Sequence, residues 1–159
     1  ARLEELCQLK VRDFKIADGC HYIDINSNGD IENRVKTPSS VRKIPIHNEL
    51  LKLGLINISG RPSRTSFLFD LRRINTNLGH VPSKWFSAYK ASLGLPKSTK
   101  VFHSFRHTLR DKLTGAGVPS EHIREILGHE QLGETFGRYG SAIPIDVLKE
   151  SIDKMKVPI

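Results

Sequence analysis

The sequence contains few cysteines and no long apolar run, and both absences narrow the class of protein. Its apolar stretches are short: the 53–58 segment includes a glycine and an asparagine, well below the roughly 20 apolar residues of a membrane span. The two cysteines, Cys7 and Cys20, lie outside any CxxC pattern, which argues against zinc and fits a reducing cytoplasm. No charged and then apolar leader opens the chain. We therefore expect a cytoplasmic protein with no membrane partner and no signal peptide.

Low-complexity tracts and internal repeats are also absent, so the 159 residues are predicted to form one ordered domain. The charge is strongly one-sided, with 25 Lys and Arg against 17 Asp and Glu and a net charge of +8. Such an excess of positive charge favours a polyanionic partner, and nucleic acid is the first candidate. On charge alone, a merely basic domain without such a partner remains an equal alternative.

The pattern of apolar and turn-forming residues predicts an α+β fold that is mostly helical. Alternation and turn residues predict three short strands, at 21–26, around 31–36 and at 41–46, in an antiparallel meander. The 56–66 segment is rich in Asn, Ser, Gly and Pro and is predicted to be a loop. The predicted helices are 2–9, 48–53, 70–78, 82–93, 103–114, 119–127, 132–139 and 145–155.

The segment from His103 to Thr108 carries the most chemical information. His103 and Arg106 are three residues apart and share a helix face, and a proton-transfer group beside a guanidinium suits a phosphate diester. His103 and His107 also have a spacing used for zinc, but the usual adjacent Glu and a third ligand are missing. A plainer alternative, with one histidine in the core and the arginine in a surface ion pair, remains open from this motif alone.

Three further motifs occur in a consistent order along the chain. R-L-E-E-L begins at Arg2, K-T-P-S-S-V-R-K-I-P begins at Lys36, and L-G-H ends at His129, ten residues before Tyr139. Together with H-x-x-R-H, they resemble the catalytic signature of tyrosine recombinases of the phage integrase type. In many members of that family, the tyrosine follows the L-G-H histidine by nine residues, whereas Tyr139 follows His129 by ten. The resemblance covers nearly the whole chain and implies a mostly helical catalytic domain with a small antiparallel sheet.

The resemblance implies a role for each of six residues at one DNA phosphate. Tyr139 is the nucleophile, His103 the base, Arg2 and Arg106 the phosphate clamp, His129 a further donor, and Lys36 on a mobile hairpin the acid for the leaving 5′-oxygen. Such a set of cationic and donor groups replaces the metal ions of many nucleases. We therefore expect no metal and no nucleotide cofactor, because ligation is the same chemistry reversed. Four residues near the hairpin are expected to contact the DNA backbone: Thr37, Ser40, Arg42 and Lys43.

Several of these roles have alternatives. Arg2 is also placed to form a surface ion pair with Glu5. Lys43 is an alternative to Lys36 as the acid. His129 is also placed to cap the end of its own helix.

The tyrosine assignment also has alternatives. Tyr139 is compatible with a buried core position. Tyr22 and Tyr89 are weaker candidates for the nucleophile because neither follows an L-G-H segment. His107 is expected to support the site or the fold without reacting.

The resemblance also implies features of a larger assembly. We expect the chain to be a fragment that lacks an N-terminal core-binding domain and the first part of the catalytic domain. Family members of this kind act on double-stranded DNA as tetramers, in a prokaryotic host cell. The apolar stripe of the 145–155 helix suits docking on a neighbouring copy or, equally, packing on its own domain. Two rival functions are a type IB topoisomerase-like enzyme and a DNA-binding relative without catalysis.

Overall fold

The computed structural model describes six stretches of the chain: residues 1–26, 40–59, 67–75, 77–95, 101–129 and 143–157. The elements in these stretches are α1 (Leu3–Cys7), a 3-10 turn (Val11–Asp13), β1 (Phe14–Ala17), β2 (Cys20–Ile25), β3 (Arg42–Pro45), α2 (Asn48–Lys52), α3 (Leu55–Ser59), α4 (His80–Ser92), α5 (Ser104–Gly115), α6 (Ser120–Leu127) and α7 (Ile145–Asp153). The fold is therefore α+β, mostly helical with one three-stranded antiparallel sheet, as predicted.

The sheet has the order β1-β2-β3, and both strand pairs are antiparallel. The predicted strands 21–26 and 41–46 correspond to β2 and β3, whereas the 31–36 strand lies outside the described residues. The third strand of the sheet is instead β1, which the sequence pattern did not predict. Asp18 and Gly19 join β1 to β2 with φ values of 51° and 71°. An Asp-Gly pair with two positive φ angles is the signature of a tight hairpin, and this signal was overlooked.

Most predicted helices are confirmed, and each of these begins within two residues of its predicted start. No helix in the described part of the chain is both long enough and apolar enough to cross a bilayer. Helix α2 is capped by His47, whose Nδ1 atom accepts the Glu49 backbone N–H at 3.1 Å. The predicted helix 132–139 lies outside the described residues.

Two predictions between β3 and α4 are wrong. The 56–66 segment was predicted to be a loop, but α3 occupies its start, directly after Gly54 reverses the chain with a φ of 81°. The 70–78 helix does not form. The Leu68 backbone N–H donates to the Leu9 carbonyl at 2.7 Å, and Ile74 bridges Asn77 in a turn. The Leu78 backbone N–H donates to Glu4 Oε1 of α1 at 2.9 Å, so contacts with a distant segment and a local turn replace the predicted helix.

Two apolar clusters form the interior, and one strand residue contacts both. The larger cluster joins α5, α6 and α7, and the smaller one lies between the sheet and the chain after α1. Ile44 of β3 packs against each of them. The buried members are Leu113, Val118, Ile123, Ile126, Leu127, Leu148 and Ile152 in the larger cluster and Leu9, Ile25 and Leu68 in the smaller.

The C-terminal helix α7 packs on its own domain. Leu148 and Ile152 are buried in the larger cluster, at 2% and 6% exposure. Polar contacts fix its end: Asp153 accepts the Asn48 backbone N–H at 3.0 Å and the Asn48 side-chain amide at 2.8 Å, and it pairs with Lys149. The apolar stripe is thus occupied within the chain. Docking of this helix on a neighbouring copy stays a prediction, and it would require the helix to leave this core.

Truncation of Leu148 should therefore destabilise the isolated domain. Leu148→Ala removes a buried side chain from the larger cluster, and the free energy of unfolding should fall by about 2–5 kcal/mol. Glu150→Ala, an exposed position on the same helix, should change it by less than about 0.5 kcal/mol. Urea unfolding at a concentration where the protein is monomeric measures both values. Equal stability of the two variants would show that α7 does not pack on its own domain in solution.

Candidate active site

Arg106 is held inside the domain by the first turn of α5. It is 7% exposed, and its Nη1 atom is buried without a hydrogen-bond partner among the described residues. Burial, followed by the charges of Arg2 and Arg42, lowers the pKa of Arg106 to about 10. A surface ion pair, the plainer alternative, does not describe this position. A buried guanidinium nitrogen without an acceptor is suited to an oxyanion that the protein itself does not supply.

His103 lies immediately before α5, one turn from Arg106. Burial lowers its pKa, and the charges of His107, Arg106 and Arg2 lower it further. The ring of His107 meets it edge to face, with centroids 5.0 Å apart. Within the described ranges, no three His, Cys, Asp or Glu side chains form a group that could hold a metal ion. A neutral imidazole at pH 7 is the form that accepts a proton.

Arg2 lies at the N-terminal end of α1 and reaches across the domain. Its Nη1 atom donates to Glu5 Oε1 at 2.7 Å and to Ser40 Oγ at 2.8 Å, and its Nη2 atom makes a long contact of 3.5 Å with the Gly128 carbonyl. The predicted ion pair with Glu5 thus exists, but within a partly buried network. The Arg2 side chain keeps 29% exposure, so it is not fully enclosed by this network.

His129 follows a tight end of α6. Gly128 adopts a left-handed conformation with a φ of 69°, and the backbone N–H groups of Gly128 and His129 both donate to the Arg124 carbonyl. Backbone groups therefore close this helix, and the His129 imidazole is not required as its cap. Burial, then the charges of Arg106 and Arg2, lowers the pKa of His129.

These four side chains converge although they come from three separate parts of the sequence. Burial lowers the pKa of both histidines and of Arg106, and the charges of neighbouring arginines lower these pKa values further. His103 and Arg106 also line an open cleft of about 520 Å³. Arg2 contacts the Gly128 carbonyl, one residue before His129. Groups suited to a phosphate diester thus lie on adjoining segments of the domain.

Comparison with known proteins agrees with this geometry. The family model described as the phage integrase family matches residues 1–143. The chain belongs to the phage integrase family. It is also similar to a protein named "Tyrosine recombinase XerC-like" from Caldanaerobacter subterraneus subsp. tengcongensis, with 31% identity over 127 residues. That alignment covers 72% of this chain and 32% of the relative, so the chain spans about a third of the relative's length. No solved structure matches the chain.

The remaining residues of the integrase signature fall into two groups. Lys36, Thr37 and Tyr139 lie outside the described residues, so their predicted roles stay predictions. Ser40 and Lys43 are described: Ser40 is buried and accepts a hydrogen bond from Arg2, whereas Lys43 is exposed, with its ammonium 5.4 Å from the centre of the Tyr22 ring. Of these two, only Lys43 is on the surface, where it is accessible to a DNA backbone.

Arg42 occupies a position that the sequence did not indicate. We expected it to contact the DNA backbone, but its side chain is 1% exposed and its guanidinium is engaged within the domain. Its partner Glu5 is also buried, with 6% of its side chain exposed, although the sequence indicates only a surface ion pair with Arg2. No local sequence signal links Glu5 to Arg42, since the two residues are 37 positions apart.

Proposed function

We propose that this chain is the catalytic domain of a site-specific DNA recombinase that cleaves and rejoins strands through a covalent 3′-phosphotyrosyl intermediate. The proposal is carried by Arg106, which lines one cleft with His103 and has a buried nitrogen without a hydrogen-bond partner among the described residues. Arg2 contacts the Gly128 carbonyl beside His129, so the four groups lie on adjoining segments. Membership of the phage integrase family and similarity to a tyrosine recombinase support the same reaction.

The two arginines serve as the phosphate clamp. Charge accumulates on the non-bridging oxygens as the phosphorus becomes five-coordinate, and fixed donors stabilise that charge most where water is excluded. The buried Nη1 atom of Arg106 and the partly exposed Arg2 side chain would supply such donors. His129, beside both arginines, is the further donor.

Bond making and breaking then need one base and one acid. The Tyr139 hydroxyl attacks phosphorus, its proton passes to neutral His103, and the phosphorus–O5′ bond breaks. The departing 5′-oxygen takes a proton from Lys36. Rejoining is the reverse, with a 5′-hydroxyl attacking the phosphotyrosyl ester, so the bond energy is conserved and no nucleotide cofactor is consumed.

The net charge of +8 fits double-stranded DNA as the partner. Four copies acting on two duplexes are part of the proposal. The core-binding domain of the complete protein would clamp the opposite face of the DNA. The chain spans about a third of its relative's length, so we propose both features only for a longer protein that would contain it.

Covalent capture tests the proposed reaction without knowledge of the target site. The chain, or the longer protein that contains it, is incubated with a pool of nicked duplexes of randomised sequence, in excess EDTA. A nick close to the scissile phosphate releases the short leaving strand and traps the adduct. We expect SDS-resistant protein–DNA complexes whose recovered sequences share a site. Adducts that form only after magnesium or zinc is restored would contradict the proposed mechanism, and DNA binding without adducts would favour a non-catalytic relative.

The pH dependence of adduct formation should report on His103. The base must be neutral, and its lowered pKa extends activity below the ordinary histidine value of about 6.5. The charge of His107 is one cause of that lowering for His103 but not for His129. His107→Asn should therefore raise the pKa of His103 and move the acid limb of the rate profile to higher pH. His80→Asn, an exposed change on α4, should leave the limb in place. An unmoved limb in the His107 variant would remove His103 from the role of base.

A further inference from the structure

Arg42 joins three segments of the domain that each carry part of the site. Its Nη2 atom donates to Glu5 Oε2 at 2.9 Å, its Nη1 atom to the Ser40 carbonyl at 2.6 Å, and its Nε atom to the Ile126 carbonyl at 3.0 Å. Glu5 belongs to α1, Ser40 precedes β3, and Ile126 lies in the last turn of α6. One buried side chain therefore connects the segment of Arg2 with the segment of His129.

The link from Arg42 to Arg2 passes through one carboxylate. Glu5 accepts the Arg2 backbone N–H at 2.6 Å and the Arg2 Nη1 atom at 2.7 Å, while it also pairs with Arg42. Burial alone would raise the pKa of Glu5, but the hydrogen bonds from Arg42 and Arg2 lower it to about 2. Glu5 is thus ionised near neutral pH, and its two oxygens are shared between the two guanidinium groups.

Sharing Glu5 also affects the charge that faces the phosphate. If Glu5 paired with Arg2 alone, the carboxylate would cancel the charge of the clamp. With Arg42 as second partner, the group of two arginines and one glutamate keeps a net charge of about +1, since each ion carries one unit. Burial lowers the pKa of Arg106, and the charges of Arg2 and Arg42 lower it further, against an opposing effect of Glu5.

The link from Arg42 to His129 is a direct steric contact. A Cβ atom placed on Gly128 would lie 2.8 Å from Arg42 Nη1 and 2.9 Å from its Cδ and Cζ atoms. The Gly128 backbone therefore rests against the guanidinium, one residue before His129. Glycine at this position meets two needs at once, the positive φ that ends α6 and the close approach of Arg42.

We propose that Arg42 is a positioning residue of the phosphate clamp, which aligns Arg2 through Glu5 and sets the His129 segment through Ile126 and Gly128. The inference rests on the proposed strand-transfer reaction and adds a residue that acts through the clamp rather than on DNA. Lysine cannot replace it, because an ammonium is a single point of charge and the contacts here need a planar fork with donors in three directions.

A substrate without the scissile negative charge distinguishes positioning of the clamp from general packing. The duplex recovered by covalent capture is made with a phosphate or with a methylphosphonate at the scissile position. The methyl group replaces one non-bridging oxygen and neutralises the centre, so correct placement of the clamp matters less. Rates of adduct formation are measured in single turnover with the wild-type chain and with variants that retain the wild-type circular dichroism spectrum.

Arg42→Lys should slow adduct formation on the phosphate duplex by about 10- to 100-fold, the range expected for a misplaced catalytic group. On the methylphosphonate duplex, the ratio of the wild-type rate to the Arg42→Lys rate should be at least several-fold smaller. Glu5→Gln, which keeps the shape of the side chain and removes its charge, should show the same selective rescue and serves if Arg42→Lys does not fold. Ile126→Val is the packing control: it loses one methyl group in the same helix turn but keeps the carbonyl that Arg42 binds.

The outcomes separate the two proposals. For the packing control, the loss of rate relative to wild type should be the same on both duplexes. If Arg42→Lys and Glu5→Gln also lose the same rate on both duplexes, the positioning role is overturned, whereas adduct formation by the wild type still supports the reaction. The positioning role would also be overturned if both variants formed adducts at the wild-type rate. Absence of any adduct with the wild type would overturn the proposed function, and the positioning role with it.

Discussion

Tyr139→Phe should reduce covalent DNA attachment to background while DNA binding stays within about twofold of wild type. The substitution removes only the nucleophilic oxygen and keeps the ring, so packing and charge are unchanged. Loss of a catalytic nucleophile commonly costs on the order of 10⁶ in rate. SDS-resistant adducts on the captured duplex measure the first quantity, and a gel mobility shift at equal salt measures the second.

The other two tyrosines of the chain provide matched controls. Tyr89 is 48% exposed on α4 and stacks on Trp85 with ring centroids 5.3 Å apart, whereas Tyr22 is buried in β2 at 6% exposure. Tyr89→Phe and Tyr22→Phe should both form adducts at the wild-type rate. Adducts that persist in Tyr139→Phe and disappear in one of these variants would transfer the role of nucleophile to that tyrosine.

Lys36→Ala should slow cleavage of ordinary DNA by about 10²–10⁴-fold, the usual contribution of a positioned acid. An alkoxide is a poor leaving group and needs a proton as it departs, whereas a thiolate is stable as an anion. A duplex with sulfur in place of the bridging 5′-oxygen should therefore restore most of the rate. Single-turnover adduct formation on the two duplexes gives the ratio directly.

Two further variants show whether the rescue is specific to the acid. Arg106→Ala should be slow on both duplexes, because the proposed task of its buried Nη1 atom is to bind a non-bridging oxygen, which the sulfur does not alter. Lys43→Ala should not be rescued, since the exposed Lys43 ammonium lies over the Tyr22 ring. Rescue of Lys43→Ala instead of Lys36→Ala would assign the acid to Lys43, and rescue of neither would exclude both lysines.

The sequence predicts well those parts of the structure that depend on near neighbours. The helix that carries Arg106 and the one that ends at Gly128 are predicted within one residue, because glycines mark their ends and apolar residues recur at helical spacing. The side-by-side placement of His103 and Arg106 follows from the same helical spacing. The overall α+β class follows from the succession of short strand patterns and longer helical ones.

The parts that fail depend on contacts far apart in sequence. Arg42 is a charged residue in an exposed-looking basic segment, and only the folded chain brings it to Glu5 and Ile126, 37 and 84 residues away. The 70–78 segment has a helical pattern, but the structure has a turn at Ile74–Asn77 and a hydrogen bond from Leu78 to Glu4 of α1 instead. Neither contact can be inferred from the pattern of a single sequence. The burial of Arg42 and the absence of a helix at 70–78 could therefore not be predicted.

The position of Ile44 has a consequence for how the site is lost and regained. Proteins open in cooperative units, and regions with separate interiors can unfold independently. Here Ile44 packs against both apolar clusters, so opening either one strips contacts from the other. Arg2 precedes the smaller cluster and Arg106 lies beside the larger one. Partial unfolding that displaces one of these arginines therefore also loosens the packing behind the other. We expect the chain to populate states with both arginines in place or with neither in place.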